Sequence, residues 1–99
     1  MITSTTWSGR KYAVLGLARS GRATAEALLA SGAEVLVWDD RAEAREAFVG
    51  RTAIADPLEA DLTGYAGVVV SPGVPLNTHP IKPYAAKFGA PVIGEGLSK

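Results

Sequence analysis

Lys11-Tyr12-Ala13-Val14-Leu15-Gly16-Leu17-Ala18-Arg19-Ser20-Gly21 is the stretch on which the reading of this chain turns. Lys11 to Leu15 is a short, mostly apolar run that ends in Gly16, the pattern of a buried strand stopped by a tight turn. Arg19 or Ser20 then opens a helix that runs to about Ala30, and Ser31-Gly32 supplies its stop. Ala23, Ala27 and Ala30 fall near one face of that helix with Leu28 beside them, and small residues there would let it lie close on a sheet.

Outward from this unit the pattern repeats. Glu34-Val35-Leu36-Val37-Trp38 is near-continuously apolar, which suits a parallel strand covered on both faces. Asp39-Asp40-Arg41 follows, then a short helix to about Val49 with Gly50 as its stop. Thr52 to Ala55 is a short third strand, and Asp56-Pro57 a turn. Gly67-Val68-Val69-Val70-Ser71 is the clearest strand in the chain, ended by Ser71-Pro72-Gly73. Ile81, Tyr84, Ala85 and Phe88 recur at i, i+3, i+4 and i+7, the spacing of an amphipathic helix, with Pro80 in its first turn and Gly89 at its end. Pro91-Val92-Ile93 is a last short strand. Strands and helices therefore alternate from Lys11 to Ile93, which predicts parallel βαβ units with right-handed crossovers. The expected fold is α/β: a Rossmann-like three-layer domain with a five-stranded parallel sheet in the order 3-2-1-4-5.

Composition sets the limits. The chain has 99 residues, 47% hydrophobic and 20% charged, an ordinary globular balance for one domain with one core. Ten Lys and Arg offset ten Asp and Glu, so no single-sign field argues for nucleic acid or for an anionic membrane. The absence of Cys rules out disulfide and thiolate chemistry and leans mildly towards the cytoplasm. The first nine residues lack the basic and apolar blocks of a signal peptide, and no run approaches the roughly 20 apolar residues of a membrane helix. A cytoplasmic monomer is expected, with no nucleic acid and no membrane among its partners.

The chemistry gathers at strand ends. Gly16-Leu17-Ala18-Arg19-Ser20-Gly21 has the G-x-G-x-x-G frame with Ala18 in the second glycine position. Gly16 turns the chain sharply out of the strand, Gly21 lets the helix pack closely, and the free N–H groups of the first helical turn attract an anion. Ala18 limits how closely a pyrophosphate can approach. The same frame also serves as a strand-to-helix turn that binds nothing. Asp39 lies 18 residues past Gly21, where an acid can accept from a ribose, accept from a base, or cap the next helix. Asp40 reads equally as an N-cap, and Arg41 as a solvated surface residue. Ser71-Pro72-Gly73 ends the fourth strand, and in the order 3-2-1-4-5 it faces the first loop across the crevice where open α/β sheets bind ligands. Gly73 offers bare backbone there, and a plain turn is the other reading. His79, the single histidine, makes no metal site without Cys or carboxylate company. No nucleophile–base pair and no G-x-x-x-x-G-K-[ST] loop is present, so no catalytic residue is assigned. A full dinucleotide site takes two mononucleotide halves and about six strands, so the size leans towards one nucleotide.

Four motifs occur in order: Gly16 to Gly21, Val37-Trp38-Asp39-Asp40-Arg41, Val69-Val70-Ser71-Pro72-Gly73-Val74-Pro75, and Pro91-Val92-Ile93-Gly94-Glu95. Together they resemble the N-terminal domain of the Mur ligase family, specifically its D-glutamate-adding members, over about Lys11 to Glu95. The Ser-Pro-Gly motif separates them from the alanine-adding ligases. The resemblance implies a domain that holds the UDP part of UDP-N-acetylmuramoyl-L-alanine, within a cytoplasmic peptidoglycan-synthesis enzyme that uses ATP and Mg. It implies that Ala18, Arg19 and Ser20 lie beside the diphosphate and uridine, that Asp39, Asp40 and Arg41 read the uracil, and that Ser71 and Gly73 border the crevice. Gly16 and Gly21 shape the loop. The family's central ATP-binding domain and C-terminal domain have no counterpart in residues 1–99, and Gly96-Leu97-Ser98-Lys99 departs from the family's usual continuation. The chain is therefore expected to be a single excised domain, inactive alone and without a cofactor of its own. Two other functions compete: a stand-alone NAD(P)-binding domain of a dehydrogenase or regulatory protein, resting on the glycine frame and Asp39, and a ligand-free interaction module on the same scaffold.

Overall fold

The computed structural model describes residues 9–17, 19–71 and 80–94. Five strands, β1 (Lys11–Leu15), β2 (Glu34–Trp38), β3 (Ala53–Ile54), β4 (Tyr65–Val70) and β5 (Val92–Gly94), form one sheet in the order β3-β2-β1-β4-β5. Every pairing is parallel. The helices are α1 (Arg19–Ala30), α2 (Ala42–Glu46) and α3 (Ile81–Lys87), with a 3-10 turn at Pro57–Glu59. The expected α/β architecture and strand order are the ones observed.

The apolar strands are explained by burial on both faces. On β1, Tyr12 and Val14 point to one side and Ala13 and Leu15 to the other, as the two-residue period of a strand requires. The first side joins Val35, Val37 and Val69 beneath Ala25 and Leu28 of α1, and Phe48 closes that layer. The second joins Leu36, Val68 and Val70 to Leu62 and to Ile81 and Ala85 of α3. Gly67 makes room on β4: a Cβ there would meet the Cδ1 of Ile93 at 2.7 Å. Tyr84 ties α3 down by donating its hydroxyl hydrogen to the Ala60 carbonyl at 2.6 Å.

Several local expectations shift. The face of α1 against the sheet is Gly21, Ala25 and Leu28, whereas Ala23 and Ala30 are exposed and Ala27 is half-buried. Alanine carries too little apolar surface to set a helix's rotation. The close contact at Gly21 sets it, and positions 25 and 28 follow one and two turns later. The second helix ends at Glu46 rather than near Val49, because the chain tightens there to i→i+3 bonds, Phe48 N–H to the Arg45 carbonyl and Val49 N–H to the Glu46 carbonyl. That turn drops Phe48 into the core with no exposed surface. The third strand is two residues long, β4 starts two residues early at Tyr65, and Pro80 sits just outside α3 as its N-cap position. Pro83 takes the third helical position, where a missing N–H costs nothing.

Candidate functional site

Gly16 leaves β1 with φ +95° and donates its N–H to the Trp38 carbonyl at 2.8 Å. Only glycine occupies that conformation without strain. On the other flank the Ser71 N–H donates to the Leu15 carbonyl at 3.0 Å. The first loop is thus anchored to both neighbouring strands at their C-terminal ends. Gly21 then brings α1 against the loop: a Cβ on it would lie 1.8 Å from the Gly16 oxygen and 3.8 Å from the Cβ of Ser71. The loop's geometry depends on the absence of that atom.

Asp39 joins this loop to the next. Its Oδ2 accepts from the Leu17 N–H at 2.7 Å, 22 residues away in sequence, and from Arg41 Nη2 at 3.3 Å. Its Oδ1 accepts from the Arg41 backbone N–H at 2.9 Å and from Arg41 Nε at 3.1 Å. The carboxylate is 11% exposed. Burial pushes its pKa up, but the hydrogen bonds from the Arg41 side chain and backbone and from Leu17, with the Arg41 charge, outweigh that and hold it down at about 2. Arg41 is bound side-on through Nε and Nη2, which leaves its Nη1 face open. Neither Asp39 nor Asp40 is the N-cap of α2: the residue in that position is Arg41, and no side chain caps the helix.

A groove of about 550 Å³ opens beside these bonds, lined by Leu17, Arg19, Arg22, Ala23, Glu26, Arg41, Glu43 and Ala44. Arg19 and Arg22 occupy the first turn of α1, which contains no acid. Cations at that end oppose the helix dipole. Glu26, the nearest acid on α1, is turned to Arg51, whose bond lowers its pKa. Arg19, Arg22 and Arg41 therefore line one opening beside the N-terminal turn of α1, where they outnumber Glu26 and Glu43, an arrangement suited to an anion.

Of the residues singled out by sequence, Arg19 and Arg41 line this groove, and Asp39 bonds to Leu17, which lines it too. Ser20 is the second residue of α1. Asp40 is exposed, next to Arg41 in the chain. Ser71 is buried at the end of β4 against Gly21. Ala18, Gly73 and His79 lie outside the described residues. Sequence reading missed Arg22, whose signal was its place in the first turn of the loop helix. It also missed Arg45, which donates from Nη1 to the Asp39 carbonyl at 2.6 Å and stacks over Trp38 at 4.5 Å. Among the described residues no three of His, Cys, Asp and Glu come together to hold a metal ion, and no helix is long and apolar enough to cross a membrane.

No known protein-family model matches the chain. Individual relatives do. It is 64% identical over 95 residues to a protein of Novosphingobium aromaticivorans named UDP-N-acetylmuramoylalanine–D-glutamate ligase, covering 96% of this chain and 21% of that one. Proteins of the same name match in Sphingopyxis alaskensis (64% over 96 residues, 96% of this chain and 22% of the relative) and Zymomonas mobilis (50% over 104 residues, 96% and 24%). The chain spans about a fifth of the length of these curated relatives. Over nearly its whole length, this chain matches an N-terminal segment of proteins named UDP-N-acetylmuramoylalanine–D-glutamate ligase.

Proposed function

We propose that this chain is the domain that holds the UDP end of UDP-N-acetylmuramoyl-L-alanine in an ATP-dependent ligase adding D-glutamate during peptidoglycan synthesis. The observation that carries the reading is the Asp39–Leu17 bond, which joins two strand-end loops into one wall of a groove where Arg19, Arg22 and Arg41 meet the N-terminus of α1. A diphosphate satisfies that excess of donors, and a flat pyrimidine can stack on an exposed guanidinium such as that of Arg41. Arg41 is the residue best placed to touch the ligand. Asp39 braces it. The names of the relatives supply the substrate and the reaction class.

ATP and magnesium belong, on this reading, to other parts of the full-length enzyme, since residues 1–99 contain no G-x-x-x-x-G-K-[ST] loop. The chain alone forms no amide bond, and the enzyme works in the cytoplasm. The dinucleotide reading requires Asp39 to offer a ribose a free acceptor, yet both its oxygens are already taken by Leu17 and Arg41.

The test is a titration followed by amide chemical shifts, with UDP-N-acetylmuramoyl-L-alanine, UDP and NAD in parallel. Shifts at Leu17, Arg19 and residues 39–41 with both UDP compounds, and none with NAD, are expected. Shifts with NAD alone, or silence from both UDP compounds at millimolar concentration, would refute the assignment.

A further inference from the structure

Arg45 stands one turn into α2 and is half-buried. It is not among the residues that line the groove. Its guanidinium instead crosses the end of β2. One nitrogen donates to the Asp39 carbonyl at 2.6 Å, and Cζ lies over the Trp38 ring, 4.5 Å from its centroid. Its own backbone N–H donates to the Arg41 carbonyl at 3.3 Å. Arg45 therefore holds the peptide on each side of the Asp39-Asp40-Arg41 turn.

Each polar end of Asp39 has a different tether. The carboxylate is bound by Leu17 and Arg41, which ties the two loops together. The carbonyl is bound by Arg45, which fixes the direction in which the carboxylate leaves the chain. Without that bond the Asp39 peptide can rotate, the carboxylate swings, and both the Leu17 N–H and the Arg41 guanidinium lose their common anchor. A charge-assisted bond at this length, backed by cation–π stacking, is a strong restraint for one side chain.

We infer that Arg45 is a positioning residue for the nucleotide groove, acting through the Asp39 carbonyl to present Arg41. This rests on the UDP reading above. The arrangement has a direct chemical requirement: a cationic N–H donor at the end of a long stem. Lysine meets it in part, keeping charge and a donor but losing the planar stack. Methionine keeps the stem's packing and supplies no donor.

The experiment measures UDP affinity by calorimetry for the 99-residue chain and for Arg45→Met and Arg45→Lys. It is run well below the melting temperature, with amide spectra confirming that each variant is folded. Arg45→Met is expected to weaken UDP about tenfold, with shift changes at Leu17 and Arg41 in the free protein, and Arg45→Lys to come back within about threefold of the parent. Equal UDP affinity for parent and Arg45→Met would overturn the proposal. So would Arg45→Lys binding as weakly as Arg45→Met, since a donor to the carbonyl would then be irrelevant. A parent chain that does not bind UDP at all would remove the nucleotide reading itself, and the proposal with it. If Arg45→Met fails to fold, the Lys variant and the Leu17 and Arg41 amide shifts decide alone: unchanged shifts with weakened UDP binding would refute positioning.

Discussion

Replacing Asp39 with Asn separates the charge of this residue from its shape. In the folded chain the carboxylate has its pKa held at about 2, against 3.8 for an unperturbed aspartate. At about 1.4 kcal/mol per unit, and discounted because Arg41 is half-exposed and solvent screens it, this represents about 2 kcal/mol of stability at neutral pH. The sign follows from linkage. A depressed carboxylate pKa contributes fully above the unfolded value and is lost as pH falls from about 4 towards 2. The amide that replaces the carboxylate carries no charge at any pH. The stability gap between parent and Asp39→Asn should therefore be about 2 kcal/mol at pH 7, a fall in melting temperature of about 10 °C for a domain of this size, and about half of that by pH 3. Urea unfolding followed by Trp fluorescence at pH 7, 5, 4 and 3 measures it. Glu26 and Asp61 also carry lowered pKa values, so the acid sensitivity of either protein alone is not diagnostic, and the difference between them is. A gap that stays constant from pH 7 to pH 3 would refute the argument, because the loss would then come from shape alone. No gap at pH 7 would refute it too.

Three further substitutions test the frame around the groove. Gly21→Ala places a Cβ 1.8 Å from the Gly16 oxygen. The backbone must retreat by more than an ångström, and a loss of about 3 kcal/mol or more is expected in urea unfolding; a loss under about 1 kcal/mol would mean that the loop and helix can part freely. Tyr84→Phe removes the donor to the Ala60 carbonyl and should cost about 1–2 kcal/mol by the same measurement, with no change in UDP affinity. Phe48→Ala empties a fully buried site beneath the sheet and should cost about 3–5 kcal/mol by thermal unfolding, whereas a smaller loss would show that the turn after α2 does not depend on that ring.

The sheet was legible because strands buried on both faces leave a plain signature, and Val68-Val69-Val70 or Val35-Leu36-Val37 can hardly be anything else between Gly and Asp punctuation. Gly16 and Gly21 were legible for a related reason: a turn this tight admits few residues. The rotation of α1 was not legible, since four alanines on one helix give no amphipathic contrast. Nor was the length of α2, where a single buried Phe48 overrides helix propensity. At the site, sequence spacing brought out Asp39 and Arg41 as residues but not what they do to each other. The Leu17–Asp39 bond joins residues 22 apart and involves a backbone N–H, which has no sequence signature. Arg45 was invisible for the opposite reason: an arginine on a short helix reads as solvated surface, and only the fold puts it across the end of β2.

The two-residue length of β3 has a consequence for how this chain behaves in a crowd. A parallel sheet with an open flank invites another chain's strand to pair along it. Here the flank offers Ala53 and Ile54 and then ends. Where β2 runs on beyond its partner, the Thr52 hydroxyl donates to the Val35 carbonyl, and the neighbouring Arg51 is drawn back to Glu26 on α1. The carbonyl an incoming strand would seek is already occupied, and a pair of charges stands beside it. On this side of the sheet one hydroxyl and one ion pair blunt the margin beside β3, which leaves another chain's strand little to pair with there.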